Sequence, residues 1–291
     1  MKKYLLFTFA MVLATSMSAQ IYVSASGGYA MGSAGVKFGD KTTMNGVENT
    51  YGSYGEGLNT QLRVGHFFND TFGIEFGLGY LHGADQTIKS VEGIPGQPNV
   101  DLFARGRAYG FSSSVVYNFS KNLYGRFGAL IKVGGKTELV GSIESLSLPA
   151  GAIPGVPIAT NLDINFIQDY KGRLPLGFIG AMGYKHQIGN NLNIFAELEY
   201  MGISVTRDTS EIVEFDASLQ EVPGSTLSID QVRSILLAGG SSLAGIFNKD
   251  IEYVDELPLG HTDSQKQLSQ TVPYSSFGIN VGITYTFSKK K

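Results

Sequence analysis

Large apolar and small or polar residues alternate without a break along Phe277-Gly278-Ile279-Asn280-Val281-Gly282-Ile283-Thr284-Tyr285-Thr286-Phe287. A period of two puts successive side chains on opposite faces, so this stretch predicts a β-strand with different surroundings on its two sides. Seven further segments repeat the pattern: Ile21–Tyr29, Leu58–Phe68, Phe72–Tyr80, Gly106–Tyr117, Leu123–Ile131, Leu176–Lys185 and Leu192–Tyr200. In each, one row is aliphatic or aromatic and the other is rich in Gly, Ser and charged groups. The apolar row suits lipid and the small row suits a crowded interior. Eight strands is an even number, as a closed antiparallel barrel in a membrane requires.

The connections alternate in length. Three are tight and polar (Asn69-Asp70, Ser120-Lys121-Asn122 and Gly189-Asn190-Asn191) and carry turn chemistry. Four are long, about 32–56, 83–102, 136–173 and 207–273. Short turns on the periplasmic side and long loops outside are the expected asymmetry of an outer-membrane barrel. A secreted β-sandwich, the other reading of the alternation, has no reason to keep that order. The predicted fold is therefore all-β: an eight-stranded antiparallel transmembrane β-barrel with long extracellular loops, short periplasmic turns and both termini in the periplasm. One helix is expected in the last loop. Ser228 and Gln231 form a capping box, Ile229, Val232, Ile235 and Leu236 follow at helical spacing, and Gly239-Gly240 ends it.

The N-terminus agrees with that compartment. Lys2 and Lys3 precede an apolar run from Leu5 to Ala14 and then small residues, which reads as a signal peptide over 1–19 ahead of a barrel domain over 20–291. The chain has no cysteine, which removes thiol catalysis, zinc–thiolate sites and a lipoprotein anchor. Its formal net charge of −3 gives no nucleic-acid footprint.

Asn280-x-Gly282-x-x-Tyr285-x-Phe287 resembles the C-terminal signal by which bacterial outer-membrane barrels are recognised for insertion. With the eight alternating segments, the chain resembles the small outer-membrane barrels of the outer-membrane protein A, X and W type. Its Ser-Ala-Gln junction and Gly-rich strands look most like Bacteroidetes-type versions. The resemblance implies outer-membrane lipid, lipopolysaccharide and the barrel-assembly machinery as partners. It implies no cofactor and leaves activity open, because such barrels include adhesins, channels and enzymes.

Candidate chemistry lies on the inward rows. Measured from the nearest short turn, Arg63, Glu75, Arg126, Lys185 and Glu197 lie about three to five residues into the membrane, with Glu199 just beyond. At about 3.3 Å per residue they share one layer. Isolated charges there cost several kcal/mol, so opposite signs should pair. The layer is either a salt-bridge plug or an ion path, and an eight-stranded interior is just filled by side chains. Arg105 and Arg107 share parity with outward Tyr109 and are candidates for lipopolysaccharide phosphate, or are simply solvated. The histidines are scattered: His66 is followed by Phe-Phe, His82 by Gly-Ala and His261 by Thr-Asp, so the His-x-Ser pair of lipid A deacylase barrels is absent. No metal-ligand spacing appears. The 207–273 loop holds eleven acidic and four basic residues, and the apolar stretches Leu146–Ile158 and Ile235–Phe247 must pack, cap the barrel or meet a partner. The expected role is non-enzymatic, an interaction or structural surface on a plugged barrel, with passage or binding of small apolar solutes as the alternative and lipid A modification behind both.

Overall fold

The computed structural model describes residues 20–33 and 35–287; the expected signal peptide lies outside the described residues. In chain order the strands are β1 (Gln20–Gly32), β2 (Val36–Thr43), β3 (Gly46–Gly52), β4 (Gly57–Phe67), β5 (Phe72–Gly83) and β6 (Gln86–Val91). Next come β7 (Asn99–Asn118), β8 (Leu123–Leu148), β9 (Thr160–Gly172), β10 (Leu176–Gln187), β11 (Leu192–Gly202) and β12 (Ser204–Leu219). Helix α1 (Ile229–Ala238) and a short 3-10 turn (Ser242–Gly245) precede β13 (Asp250–Val254), β14 (Lys266–Leu268), β15 (Thr271–Pro273) and β16 (Ser276–Thr286).

Antiparallel pairings run β1–β4–β5–β7–β8–β10–β11–β16, and β16 pairs back with β1. This circuit is one part of a sixteen-stranded sheet and is not a regular cylinder. Alternation explains its walls. Ile21, Leu62, Phe76, Tyr109, Phe127, Met182, Leu198 and Val281 are exposed on the outside, whereas Ser24, Arg63, Glu75, Ser114, Arg126, Glu197 and Asn280 are buried inside. The apolar residues are out and the polar ones in, the inverse of a soluble core.

Three tight turns close one end. In the first, Asn69 Oδ1 accepts from the Thr71 and Phe72 amides at 2.9 and 2.8 Å, the local bond that makes Asn a turn residue. In the second, Ser120 Oγ accepts from the Asn122 and Leu123 amides.

At the other end the first three expected loops are largely strand, and 207–273 mixes strand with a helix and a 3-10 turn. β7 has 20 residues and β8 has 26, so β8 alone covers about 85 Å at ~3.3 Å per residue. Its lower part pairs with β10 and its upper part with β9. Between them the register with β7 shifts: Tyr109 pairs with Gly134 and Gly110 with Lys132, leaving Val133 as an extra residue. Inward positions on β8 are even before this bulge (Tyr124, Arg126, Leu130) and odd after it (Thr137, Leu139, Ile143). Beyond it, β9, β12, β13 and β14 extend the sheet on one side, and β6, β2 and β3 on the other.

The apolar core belongs mostly to this outer part. Leu102, Ile143, Leu162, Ile164 and Phe166 pack with Val232, Leu236 and Phe247. Helix α1 forms with its capping box: Ser228 Oγ accepts from the Gln231 amide and Gln231 Oε1 accepts from the Ser228 amide. Its Val232 and Leu236 face the sheet, so the apolar stretch Ile235–Phe247 serves packing. Leu148 and Ile153 of the other apolar stretch are buried in the same cluster.

Candidate functional site

Five strands of the circuit aim polar and charged groups into one layer of its interior. Arg63 Nη1 (β4) donates to Glu197 Oε1 (β11) at 2.8 Å, and Arg126 Nη2 (β8) donates to the same oxygen at 2.9 Å. Arg126 Nη2 also donates to Glu199 Oε2 and, at 3.2 Å, to Gln61 Oε1. Gln61 Nε2 donates to both oxygens of Glu199 at 2.9 Å. Glu75 Oε1 (β5) lies 3.7 Å from Arg63 Nε and 3.9 Å from Arg126 Nε. Two tyrosines complete the layer: Tyr22 (β1) donates to Glu75 Oε2 at 3.0 Å and Tyr124 to Glu197 Oε2 at 2.8 Å. Each of the charged side chains is 6% exposed or less.

Buried ions survive only when paired and further hydrogen-bonded. Here three carboxylates meet two guanidinium groups, and the tyrosine and amide donors answer the surplus acceptors. The sheet makes room through small residues on neighbouring strands. A side chain at Gly65 would begin 2.1 Å from the Tyr22 ring, and one at Gly183 would begin 2.4 Å from the Tyr124 ring. Each tyrosine therefore lies over a glycine with its hydroxyl directed at a carboxylate.

Five of the six expected charges thus meet: Arg63, Glu75, Arg126, Glu197 and Glu199. Lys185 does not join them. Its Nζ donates to Asn118 Oδ1 at 2.8 Å and rests 5.6 Å from the Phe67 ring. Its position next to the turn end leaves it beside Asn118, below the carboxylates. Tyr22, Tyr124 and Gln61 escape a reading based on charge because they carry none. They share inward parity with Arg63 and Glu75, and Gly65 and Gly183 stand beside the two tyrosines.

The layer separates two cavities. Toward the tight turns a space of about 740 Å³ with a mixed lining, Ser24, Asn118, Lys185 and Thr284 beside Phe67 and Phe195, ends at Arg63 and Glu75. On the far side a mostly apolar space of about 80 Å³ is walled by Leu81, Leu130, Ile179 and Met201.

No protein-family model and no curated protein matches the chain. Solved structures with a similar course of chain include a major outer membrane protein from Thermus thermophilus, at 14% identity, covering 93% of this chain and 100% of that one, with a TM-score of 0.39. Neisserial surface protein A follows at 11% identity, 93% and 99% coverage and a TM-score of 0.32. CarO2 of Acinetobacter baumannii has 13% identity, 92% and 99% coverage and a TM-score of 0.33. The chain is similar to outer-membrane β-barrel proteins.

Of the barrel's other candidate residues, Arg105 and Arg107 both meet Glu138 of β8, at 2.9 Å and 3.8 Å. Arg107 Nη1 also donates to the Gly83 and Gly106 carbonyls. Glu138 is held in turn by Lys136 at 2.9 Å, which also reaches Asp169 at 2.8 Å. Both arginines are committed to this cluster on the β7–β8 seam.

The expected insertion signal lies on the closing strand. Asn280 is fully buried, with neither amide atom hydrogen-bonded to another group. Gly282 accommodates Phe195, whose ring a side chain there would meet at 2.5 Å; that space serves an aromatic ring, and no charged group occupies it. Tyr285 and Phe287 face outward in edge contact at 5.1 Å, and the Phe287 amide donates to the Ile21 carbonyl at 2.8 Å. Among the histidines, His66 packs on Phe68 and His82 on Tyr80, and His261 Nε2 meets the Asp263 carbonyl.

Proposed function

We propose that the chain is an integral outer-membrane protein whose circuit β1–β4–β5–β7–β8–β10–β11–β16 is an eight-stranded transmembrane barrel, closed to solutes by an ion-paired plug. The barrel carries an external β-module that works as an interaction or structural surface. The observation behind this reading is the single layer of Arg63, Arg126, Glu75, Glu197 and Glu199, which leaves the two cavities without a shared lumen. The outer wall fits lipid. Phe72 and Tyr80, Tyr109 and Tyr117, and Phe277 and Tyr285 each stand eight residues apart on one strand, with the outward apolar row between them. Eight residues rise about 26 Å, or about 20 Å after strand tilt, close to the apolar band between two aromatic girdles.

The termini and tight turns face the periplasm in this reading, and the chain reaches it by means of the signal peptide over 1–19. Asn280, Gly282, Tyr285 and Phe287 are read by the barrel-assembly machinery. Lipid and lipopolysaccharide contact the two belts, whereas Arg105 and Arg107 serve the β7–β8 seam through Glu138. An extracellular ligand or protein would meet the strand-built surface made by 32–56, 83–102, 136–173 and 207–273. The chemistry is non-enzymatic and needs no cofactor.

Planar-bilayer recording of the purified protein tests the plug. The expected trace is silent at neutral pH; steady currents of nanosiemens scale would overturn the proposal. The second reading, binding of a small apolar solute, draws on the apolar cavity beyond the plug.

A further inference from the structure

That cavity carries more than apolar walls. We infer that the outer end of the barrel interior is a binding site for a small organic anion, a carboxylate on a compact apolar body. The inference rests on the barrel being plugged below this level and goes beyond that reading by giving the interior a ligand.

The apolar half of the ligand would meet Leu81, Ala108, Leu130, Ile179, Met201 and Ile203. Two polar groups stand among them without adequate partners. Asn59 is 5% exposed, and neither its Oδ1 nor its Nδ2 has a hydrogen-bond partner. A buried amide left unpaired is destabilising, so such a group calls for a polar guest. Lys132 donates only a 3.4 Å bond to the Gly135 carbonyl and lies 5.7 Å from the Tyr274 ring. No carboxylate pairs with it among the described residues.

Above Tyr274 a smaller space of about 10 Å³ shares Lys132 and adds Lys171 and Arg207 between Tyr54 and Tyr170. Arg207 stacks on Tyr170 at 4.5 Å and donates to Gln270 Oε1 at 3.1 Å, again with no acidic partner among the described residues. Neither cavity is lined by an Asp or Glu, although the 207–273 segment carries a large excess of acid. Lys132 in the apolar pocket, with Lys171 and Arg207 in the adjoining space and no acidic partner for any of them among the described residues, favours an anion over a neutral or cationic guest. On a scale of about 10–15 Å³ per water, 80 Å³ admits a guest of roughly five to eight heavy atoms.

The full-length protein in a neutral detergent would be titrated with butyrate and with butanamide, its uncharged counterpart, by calorimetry and saturation-transfer NMR. Butyrate is expected to bind about tenfold or more tightly than butanamide, the worth of one charge-assisted contact. Lys132→Gln should bring butyrate down to the butanamide level, Asn59→Leu should weaken it less, and Lys37→Gln on the outer hairpin should change nothing. Equal binding of the two probes, or no butyrate binding at tens of millimolar, would overturn the site and leave the space to water. If Lys132→Gln fails to fold, the two probes on the native protein still decide. Silent bilayers with no butyrate binding would sink this site and spare the plug; conducting bilayers would sink the plug whatever butyrate does.

Discussion

Arg63 and Glu197 join across the interior at 2.8 Å from strands that are not neighbours: β4 and β11 are separated in the circuit by β1 and β16. Removing one member of a buried pair leaves an uncompensated charge, which costs about 3–5 kcal/mol. Glu197 accepts from Arg63, Arg126 and Tyr124, so it is the member whose loss orphans most donors. Glu197→Ala is expected to lower unfolding free energy by about that amount in urea titrations of the detergent-solubilised protein. Glu197→Gln keeps an acceptor at the same place and should cost less. Equal stability of Glu197→Ala and the native chain would mean that the layer is incidental to the fold.

The rows that build this layer are legible because the two faces of each strand see different media. Arg63, Glu75, Arg126, Glu197 and Glu199 keep one parity with small neighbours, and that parity points inward. Legibility fails where a strand changes phase or partner. Val133 shifts the inward set of β8 from even to odd; Gly134-Gly135, with Gly135 at a φ of +93°, marks an irregularity there but does not announce the change of phase. The exchange of β10 for β9 along β8 depends on pairings between residues as distant as Glu138 and Asp169. For the same reason 136–173 reads as a loop in sequence although most of it is strand. Helix α1 is legible because its capping box is local. Counting from a turn fixes the depth of Lys185 only to a residue or two, and its partner Asn118 is neutral.

The absence of cysteine allows the orientation to be tested with single thiols. Asn45, between β2 and β3, should lie outside the cell, and Lys121, in a tight turn, should face the periplasm. Intact cells expressing Asn45→Cys are expected to react with a membrane-impermeant maleimide, and cells expressing Lys121→Cys only after the outer membrane is opened. The reverse pattern would invert the barrel.

The cluster on the β7–β8 seam makes the outer module sensitive to pH. Burial pushes the Glu138 carboxyl up, but hydrogen bonds from Lys136 and Arg105 outweigh it and hold the group below the usual carboxylate range. Lys136 is raised by its hydrogen bond to Asp169, against desolvation, with help from Glu138. A carboxyl lowered on folding contributes stability above its unfolded value, about 4.3, and loses it as pH falls through the folded value. The raised lysine contributes fully below about 10.4 and loses its share as pH rises through its folded value. Glu138→Gln should therefore be less stable than the native chain at neutral pH, with the difference closing in strong acid. A difference that stays the same from neutral pH down to strong acid would show that the cluster contributes no linkage.

The charge layer and the apolar core share no residue, and this makes a last prediction selective. Phe247 is fully buried, 5.3 Å from the Phe166 ring and 6.0 Å from the Phe215 ring. It fastens the segment after α1 to the face of β9 and β12. Truncating a buried Phe costs about 3–5 kcal/mol, part of it for the cavity left behind. The charge layer shares no residue with this cluster, and sites without shared partners respond independently. Phe247→Ala is thus expected to open the 207–273 segment to protease while the strands that carry Arg63, Glu75, Arg126 and Glu197 stay protected. Hydrogen exchange should rise over 229–247 and remain slow at 61–63 and 195–199. If the barrel strands exchange faster as well, the charge layer and the apolar cluster fold as one unit, and the outer strands would be part of what holds the barrel together.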